Sequence, residues 1–227
     1  MKKIAVVLCP MPMEFEAVEN HIGRLGETVE TGLEEKHFIL PNCDLILARC
    51  GIGKTCAACK AQKTIMTYSP SHLFVCGVAG AIARDLDVFD VVVPDRVVHG
   101  DMNIAGTYCA SGVVDSVAPV FDGNPAYTKD GFILSTEGSA YRAGTLATLD
   151  RFAEESDKVF LEKQFGAVAI DMESAPAVQV AAMNKVPATV IRAISDNRSH
   201  SFGDFAANAP KACDSAAEAL LRFVELL

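Results

Sequence analysis

Residues 188–196 read Ala-Thr-Val-Ile-Arg-Ala-Ile-Ser-Asp, and this stretch decides the fold class. The segment Ala188–Ile194 is apolar on both faces, which is typical of a strand in a sheet that helices cover. Arg192 interrupts the apolar run, and a buried guanidinium requires a polar partner. The segment therefore predicts a buried strand of an α/β protein, with a polar site close to its end.

Similar short apolar runs alternate with longer helical patterns along the whole chain, so we expect the α/β class throughout. The predicted strands are Ile4–Leu8, Leu45–Ala48, Leu73–Cys76, Val91–Val93, Val168–Ile170 and Ala188–Ile194. The predicted helices are Met13–Ile22, Thr55–Tyr68, Ser156–Phe165, Ser174–Asn184 and Pro210–Leu227, with Ser174 as an N-cap. The stretch Asn103 to Thr136 is rich in Gly, Ser, Pro and Asn, and a loop-rich segment of this length is often functional or part of an interface.

Composition restricts the partners that the chain can bind. The 227 residues are 50% hydrophobic and 22% charged, which fits one compact domain over residues 1–227. The formal net charge of −9 argues against nucleic acid and against an acidic membrane surface, because both need clustered Lys and Arg. The longest uncharged apolar stretch, Leu73 to Ala83, is too short to span a membrane. A small molecule is therefore the expected ligand.

The eight cysteines lack the regular spacing of a disulfide framework and indicate a reducing, cytoplasmic location. Cys56 and Cys59 have the spacing of a redox or zinc motif. They fall inside a predicted helix without nearby histidines, so packing is the favoured interpretation. We expect no metal and no cofactor.

Two glycine-containing segments follow predicted strands. The segment from Arg49 to Thr55 joins a strand to a helix, where backbone amides can bind an anion, but it matches neither the Walker A loop nor the dinucleotide fingerprint. A plain strand-to-helix turn remains at least as good an interpretation. The segment Gly77–Gly80 removes side-chain bulk at the carboxyl end of a strand, where open α/β sheets bind ligands.

Acidic residues gather at the same predicted edge of the sheet. Asp171-Met172-Glu173 lies between a strand and a helix, and Asp196 ends the strand that carries Arg192. Met13-Glu14-Phe15-Glu16 enters the first helix directly after the first strand. Spacing alone does not decide which of these glutamates is reactive, and acids at helix starts are also favourable partners of the helix dipole.

Taken in order, these motifs resemble the 5′-methylthioadenosine/S-adenosylhomocysteine nucleosidases of the nucleoside phosphorylase superfamily. The motifs are Met13–Glu16, Gly51–Lys54, Gly77–Gly80, Asp171–Glu173 and Arg192–Asp196. The resemblance implies a single three-layer α/β/α domain with a central mixed, twisted sheet. It also implies a homodimer and an enzyme that cleaves the N-glycosidic bond of a purine nucleoside.

The resemblance further implies roles for individual residues. Asp196 would protonate nitrogen 7 of the base, and Glu16 would activate water at the anomeric carbon. Glu173 would bind the ribose hydroxyls. The remaining implied contacts are Met172 on the sugar, Arg192 at the water site, Phe152 stacked on the base, the Ala153 backbone at the base edge, and Ala79, Gly80 and Ser195 around the substrate.

Departures from the family pattern leave the substrate open. Val78 stands where these nucleosidases usually have serine, and Asp171 replaces a glutamate. The alternatives are a futalosine hydrolase, a purine nucleoside phosphorylase and a nucleoside-binding protein without turnover. Phosphorylases of this superfamily hold phosphate with an arginine and a serine where this chain has Val75 and Val78, so we expect water as the nucleophile.

Overall fold

The computed structural model describes residues 2–30, 32, 34–102, 132–134, 139–196 and 202–227, which form a mixed sheet with helices packed on both faces. The strands are β1 (Lys3–Cys9), β2 (Glu27–Glu30), β3 (Glu35–Ile39), β4 (Cys43–Arg49), β5 (His72–Ala81), β6 (Val91–Val92), β7 (Arg96–His99), β8 (Phe132–Ile133), β9 (Thr145–Thr148), β10 (Ala167–Asp171) and β11 (Ala188–Asp196). The helices are α1 (Pro12–Ile22), α2 (Lys54–Tyr68), α3 (Glu155–Phe165), α4 (Ser174–Met183) and α5 (Phe202–Glu225).

The central strands are apolar because both of their faces are covered. Ala5 and Val7 of β1 pack into a cluster that includes residues of α1 and α5. Val6 and Leu8 of the same strand pack into a second cluster with residues of α2 and α4. Alternate residues of a strand point to opposite faces, so this division defines three layers. The predicted α/β/α arrangement is confirmed.

The sheet has the order β2-β3-β4-β1-β5-β10-β9-β7-β8, and β11 pairs with β5 and β6 off this path. β5 runs parallel to β1 over its first half and parallel to β11 from Leu73 to Gly80. At its end, β5 pairs antiparallel with β10 through Gly80 and Ala81 only. The carboxyl ends of β5, β10 and β11 therefore meet at one place in the sheet.

Each of the predicted strands and helices is present, but several bounds differ. The segment Gly77–Gly80 lies inside β5, which continues to Ala81, and does not follow the strand. α5 begins at Phe202, so Pro210 lies inside the helix and does not open it. The N-cap of α4 is Glu173 and not Ser174, whose hydroxyl instead donates a hydrogen bond to Asp171 Oδ2.

Five of the described strands were not predicted from the sequence. β2, β3, β7, β8 and β9 are short or carry mixed residues, which leaves little periodic signal. Most of the loop-rich stretch from Asn103 to Thr136 lies outside the described residues. Among the helices that are described, none is both long and apolar enough to cross a membrane.

Candidate active site

A pocket of about 460 Å³ opens where β5, β10 and β11 end. This volume falls within the range of small-molecule sites. The predicted site residues that line it are Ala79, Gly80, Phe152, Ala153, Met172, Glu173, Ser195 and Asp196. Arg192 is fully buried and reaches the pocket through its carboxylate partners, whereas Glu16 lies elsewhere. The sequence motifs therefore converge in space, with one exception.

Glu14 enters the pocket from the first turn of α1. Its Oε2 accepts a hydrogen bond of 2.7 Å from the Met11 amide, and its Oε1 accepts one of 2.9 Å from the Val78 amide. Burial raises the pKa of the Glu14 carboxyl, while the nearby charge of Arg192 and the two amides oppose that shift. The carboxylate is thus held in one orientation by the backbone of two separate elements.

Glu16, the predicted catalytic glutamate, lies outside this pocket, on the other side of α1. Two residues along a helix correspond to a rotation of about 200°, so Glu14 and Glu16 cannot face the same pocket. Glu16 is exposed and lines a separate surface pocket with Glu19 and Lys36. Helical periodicity in the sequence already favoured Glu14 over Glu16 as the buried glutamate. Ala17 and Val18 follow Glu14 by three and four residues, which is the spacing of one buried helix face.

Arg192 connects the acids beneath the pocket floor. Its Nη2 lies 2.7 Å from Asp171 Oδ2 and 3.4 Å from Glu173 Oε2, and its Nη1 lies 3.7 Å from Glu14 Oε1. Burial alone would lower the pKa of the guanidinium, but the three carboxylates raise it overall. Arg192 is therefore a permanent cation that compensates the acids around it. Within the described part of the chain its Nη1 has no hydrogen-bond partner.

Gly77 explains why the glycine segment lies inside β5. It pairs with Arg192 across the sheet. A Cβ at this position would collide with Glu14 Oε1 and would approach Arg192 Nη1 to 2.6 Å. Only glycine leaves room for the carboxylate and the guanidinium to meet above the strand.

Glu173 joins this group from the N-terminus of α4. Its Oε1 accepts a hydrogen bond of 2.9 Å from the Gly53 amide, so the turn before α2 binds an internal carboxylate. Gly53 has a φ of 93°, a conformation that favours glycine. Burial raises the pKa of Glu173 to about 7, against the opposing charge of Arg192. The carboxyl group can therefore titrate near neutral pH.

Asp196 reaches the pocket through an irregularity in β11. The register with β5 shifts between Ile194 and Asp196, which sets Asp196 opposite Gly80. In a regular strand successive side chains point to opposite faces, but here both Ser195 and Asp196 line the pocket. The Ser195 hydroxyl donates to Asp196 Oδ1 over 2.9 Å.

A buried lysine accompanies Asp196. The Nζ of Lys158 lies 3.6 Å from Asp196 Oδ2, and the residue is only 4% exposed. Lys158 lines the same pocket, from the first turns of α3. Its helix reads as an ordinary amphipathic segment, so no local signal marked the residue as part of a site.

Aromatic residues form the outer part of the pocket. Phe152 is 47% exposed and meets Phe205 edge to face, with ring centroids 6.2 Å apart. Ala153, Met172 and Ile170 add apolar lining. Phe205 comes from α5, more than fifty residues away along the chain, and sequence reasoning had no means to find it.

The described residues contain no group of His, Cys, Asp and Glu that could hold a metal ion. The carboxylates instead pair with Arg192, Lys158 and backbone amides.

Fold and site together define a member of the phosphorylase superfamily, and the chain belongs to it, since the model of that family matches residues 4–225. A 5′-methylthioadenosine/S-adenosylhomocysteine nucleosidase from Bacillus cereus strain G9842 is 30% identical over 194 residues and 84% of each chain. The resemblance to this nucleosidase family is confirmed.

Solved structures agree with the fold. The nucleosidase of the same name from Helicobacter pylori, in complex with a pyrrolopyrimidine compound, has a TM-score of 0.84 at 23% identity, and the match covers 99% of each chain. The futalosine hydrolase of Helicobacter pylori has a TM-score of 0.82 at 23% identity over 99% of this chain and 98% of its own. At such identity these likenesses establish the nucleoside phosphorylase-like fold and no substrate.

Proposed function

We propose that the chain hydrolyses the N-glycosidic bond of a purine nucleoside in this pocket. The observation that carries the proposal is one pocket with two differently held acids, Glu14 beside Arg192 and Asp196 beside Lys158. Cleavage of this bond develops positive charge on the sugar and negative charge on the base. A carboxylate at the sugar and an acid at the base stabilise both.

In the proposed reaction, Glu14 takes a proton from water as the water oxygen attacks the anomeric carbon. The bond from that carbon to the base nitrogen breaks, and its electron pair leaves with the base. Asp196 supplies a proton to nitrogen 7 of the departing purine, in the manner of an inverting glycosidase. Glu14 thus takes the role first given to Glu16, because Glu14 alone of the two lines the pocket.

The remaining residues position the substrate in this proposal. Glu173 accepts hydrogen bonds from the ribose hydroxyls, and Met172 packs on the sugar. Phe152 stacks on the base while the Ala153 backbone meets its edge. Arg192 supports the water site, since its buried Nη1 lies 3.7 Å from Glu14 Oε1 and can donate to a water bound between them.

Water is favoured over phosphate as the nucleophile. Val75 is buried in the core and Val78 lines the pocket, so neither presents a donor to an oxyanion. The guanidinium of Arg192 is already surrounded by three carboxylates, which would repel a phosphate.

Labelled phosphate tests this choice directly. We expect the free sugar as product, with a rate that does not depend on phosphate. Label in the sugar product would replace the hydrolase proposal by a phosphorylase.

The names of the relatives favour 5′-methylthioadenosine and S-adenosylhomocysteine as first substrates to assay, and with them a role in methionine salvage. Futalosine is the second candidate. A panel of these three compounds with adenosine and inosine would rank the 5′ groups. If none is cleaved and a nucleoside still binds, the non-catalytic alternative would stand.

We also propose a homodimer in the cytoplasm. The dimer proposal rests on the family resemblance, which sets a neighbouring subunit beside the 5′ end of the substrate. Light scattering at assay concentration measures the oligomeric state. A monomer with full activity would contradict the shared pocket.

A further inference from the structure

Burying the charged side chain of Lys158 at this position costs free energy. Lysine is almost never fully buried unless it is paired, and this one is 4% exposed. It is the fourth residue of α3, near the helix N-terminus, where the helix dipole disfavours a cation. Its position therefore does not stabilise the helix dipole, and its place on the pocket wall beside Asp196 indicates a role in the pocket.

The ion pair with Asp196 fixes which part of a substrate Lys158 meets. Under the proposed function, Asp196 faces nitrogen 7 of the purine. The Nζ of Lys158 is 3.6 Å from Asp196 Oδ2 and on the wall of the same pocket. On one side of nitrogen 7 a purine has only a C–H group, and on the other side it carries the polar substituent at position 6. Of these two sides, only that of the 6-substituent can offer the ammonium a hydrogen-bond acceptor.

An ammonium only donates hydrogen bonds, so it distinguishes the two common purines. A 6-oxopurine presents two acceptors on this edge, nitrogen 7 and oxygen 6, whereas adenine presents an acceptor and an amino donor. Lys158 can donate to oxygen 6, but it meets the amino group of adenine with a like polarity. The substrates named for the relatives carry adenine, so this residue predicts a difference at the base.

We propose that Lys158 is a specificity-determining residue that makes 6-oxopurine nucleosides substrates of this pocket and favours them over their 6-amino counterparts. The inference rests on the proposed function and deepens it. Lys158 forms no covalent bond. It donates a hydrogen bond to oxygen 6 and stabilises the negative charge that the base acquires as the glycosidic bond breaks.

The test compares pairs of nucleosides that differ only at position 6, namely 5′-methylthioinosine with 5′-methylthioadenosine, and inosine with adenosine. We expect the wild-type enzyme to have the higher kcat/KM on the 6-oxo member of each pair. Lys158→Met keeps a long side chain but removes its charge. In this variant the ratio of kcat/KM on the 6-oxo nucleoside to kcat/KM on the 6-amino nucleoside should fall by about 10- to 100-fold. Release of hypoxanthine and adenine is followed by chromatography.

Two further variants keep the test sharp. Lys163 lies on the same helix but is exposed, so Lys163→Met is the matched control and should leave the ratio unchanged. Gln at position 158 has both a donor and an acceptor, so Lys158→Gln should bring the ratio close to one. If Lys158→Met does not fold, Lys158→Gln still tests whether residue 158 sets the preference for the 6-oxo base.

Each outcome separates this inference from the proposed function. An unchanged ratio with equal losses on both substrates would mean that Lys158 only holds Asp196, and would overturn the inference. A wild-type preference for the 6-amino member would also overturn it, while hydrolysis itself would stand. No cleavage of any purine nucleoside by the wild-type enzyme would instead refute the proposed function.

Discussion

The two ends of the pocket are built differently. At one end, Glu14 and Glu173 are almost fully buried, and each accepts a hydrogen bond from a backbone amide and lies near Arg192. At the other end, Phe152 is 47% exposed, and Asp196 pairs with Lys158 through side chains only. The comparison indicates that the proposed sugar end is held by the backbone of the fold itself. The proposed base end is held by side-chain contacts, so we expect single substitutions there to change specificity more readily.

The largest expected loss of activity comes from a substitution at the proposed sugar end of the pocket. Glu14→Gln should lower kcat by about 10²–10⁴-fold, because the amide cannot take a proton from water. The fold should persist, since Arg192 keeps Asp171 and Glu173 as partners. Glu16→Gln is the matched control on the same helix and should have near wild-type kcat. Loss of activity in Glu16→Gln alone would restore the assignment made from the sequence.

The next effect concerns the acid at the base end. Asp196→Asn should lower kcat by about 10²-fold, at the lower end of the range for a proton-transfer group. The loss is smaller because Lys158 still stabilises charge on the departing base. Single-turnover kinetics on a folded variant measure it. Near wild-type turnover would remove the acid role of Asp196.

A pH effect tests the buried charge of Glu173. Its pKa is raised to about 7, and only the ionised form accepts both ribose hydroxyls. We therefore expect kcat/KM to fall by about tenfold from pH 8 to pH 6, as expected for a single group of this pKa. Glu173→Gln should lose the step near pH 7. A wild-type profile that stays flat over this range would contradict the prediction.

The same group affects stability in the opposite direction. Because its folded pKa is raised, Glu173 contributes stability at pH values below its unfolded value near 4.5, and this is lost as pH rises to about 7. The unfolding free energy of Glu173→Gln minus that of the wild type should therefore increase from pH 4.5 to 7. Denaturant titrations at both pH values measure this difference.

The smallest effect is expected where the pocket is most open. Phe152→Ala should raise KM by about five- to tenfold with little change in kcat, because stacking on a base is lost. The ring of Phe205, whose centroid lies 6.2 Å from that of Phe152 in the wild type, remains in the pocket and limits the loss. The exposed Phe160 is the control, since it lies on the outer face of α3 and does not line the pocket. Equal effects of both alanine variants would argue against stacking at Phe152.

The sequence predicted the main strands and helices well, because burial of an element produces an apolar pattern in its own residues. The strand Ala188–Ile194 is apolar on both faces since helices cover both, and β11 continues this strand to Asp196. The order of the motifs also identified most of the pocket, since the ends of β5, β10 and β11 carry them. These features depend on neighbours within a few residues, which a sequence displays directly.

The site features that the sequence did not predict depend on contacts between segments that are distant along the chain. The sequence by itself determined the α/β class and the family, and it predicted that Glu173, Arg192 and Asp196 belong to one site. Only the tertiary structure shows that Glu14 and not Glu16 lines the pocket, that Phe205 meets Phe152, and that Lys158 lies beside Asp196. The physical reason is that hydrophobic periodicity records which face of an element is buried. It does not record which charged or aromatic group from another element lies against that face.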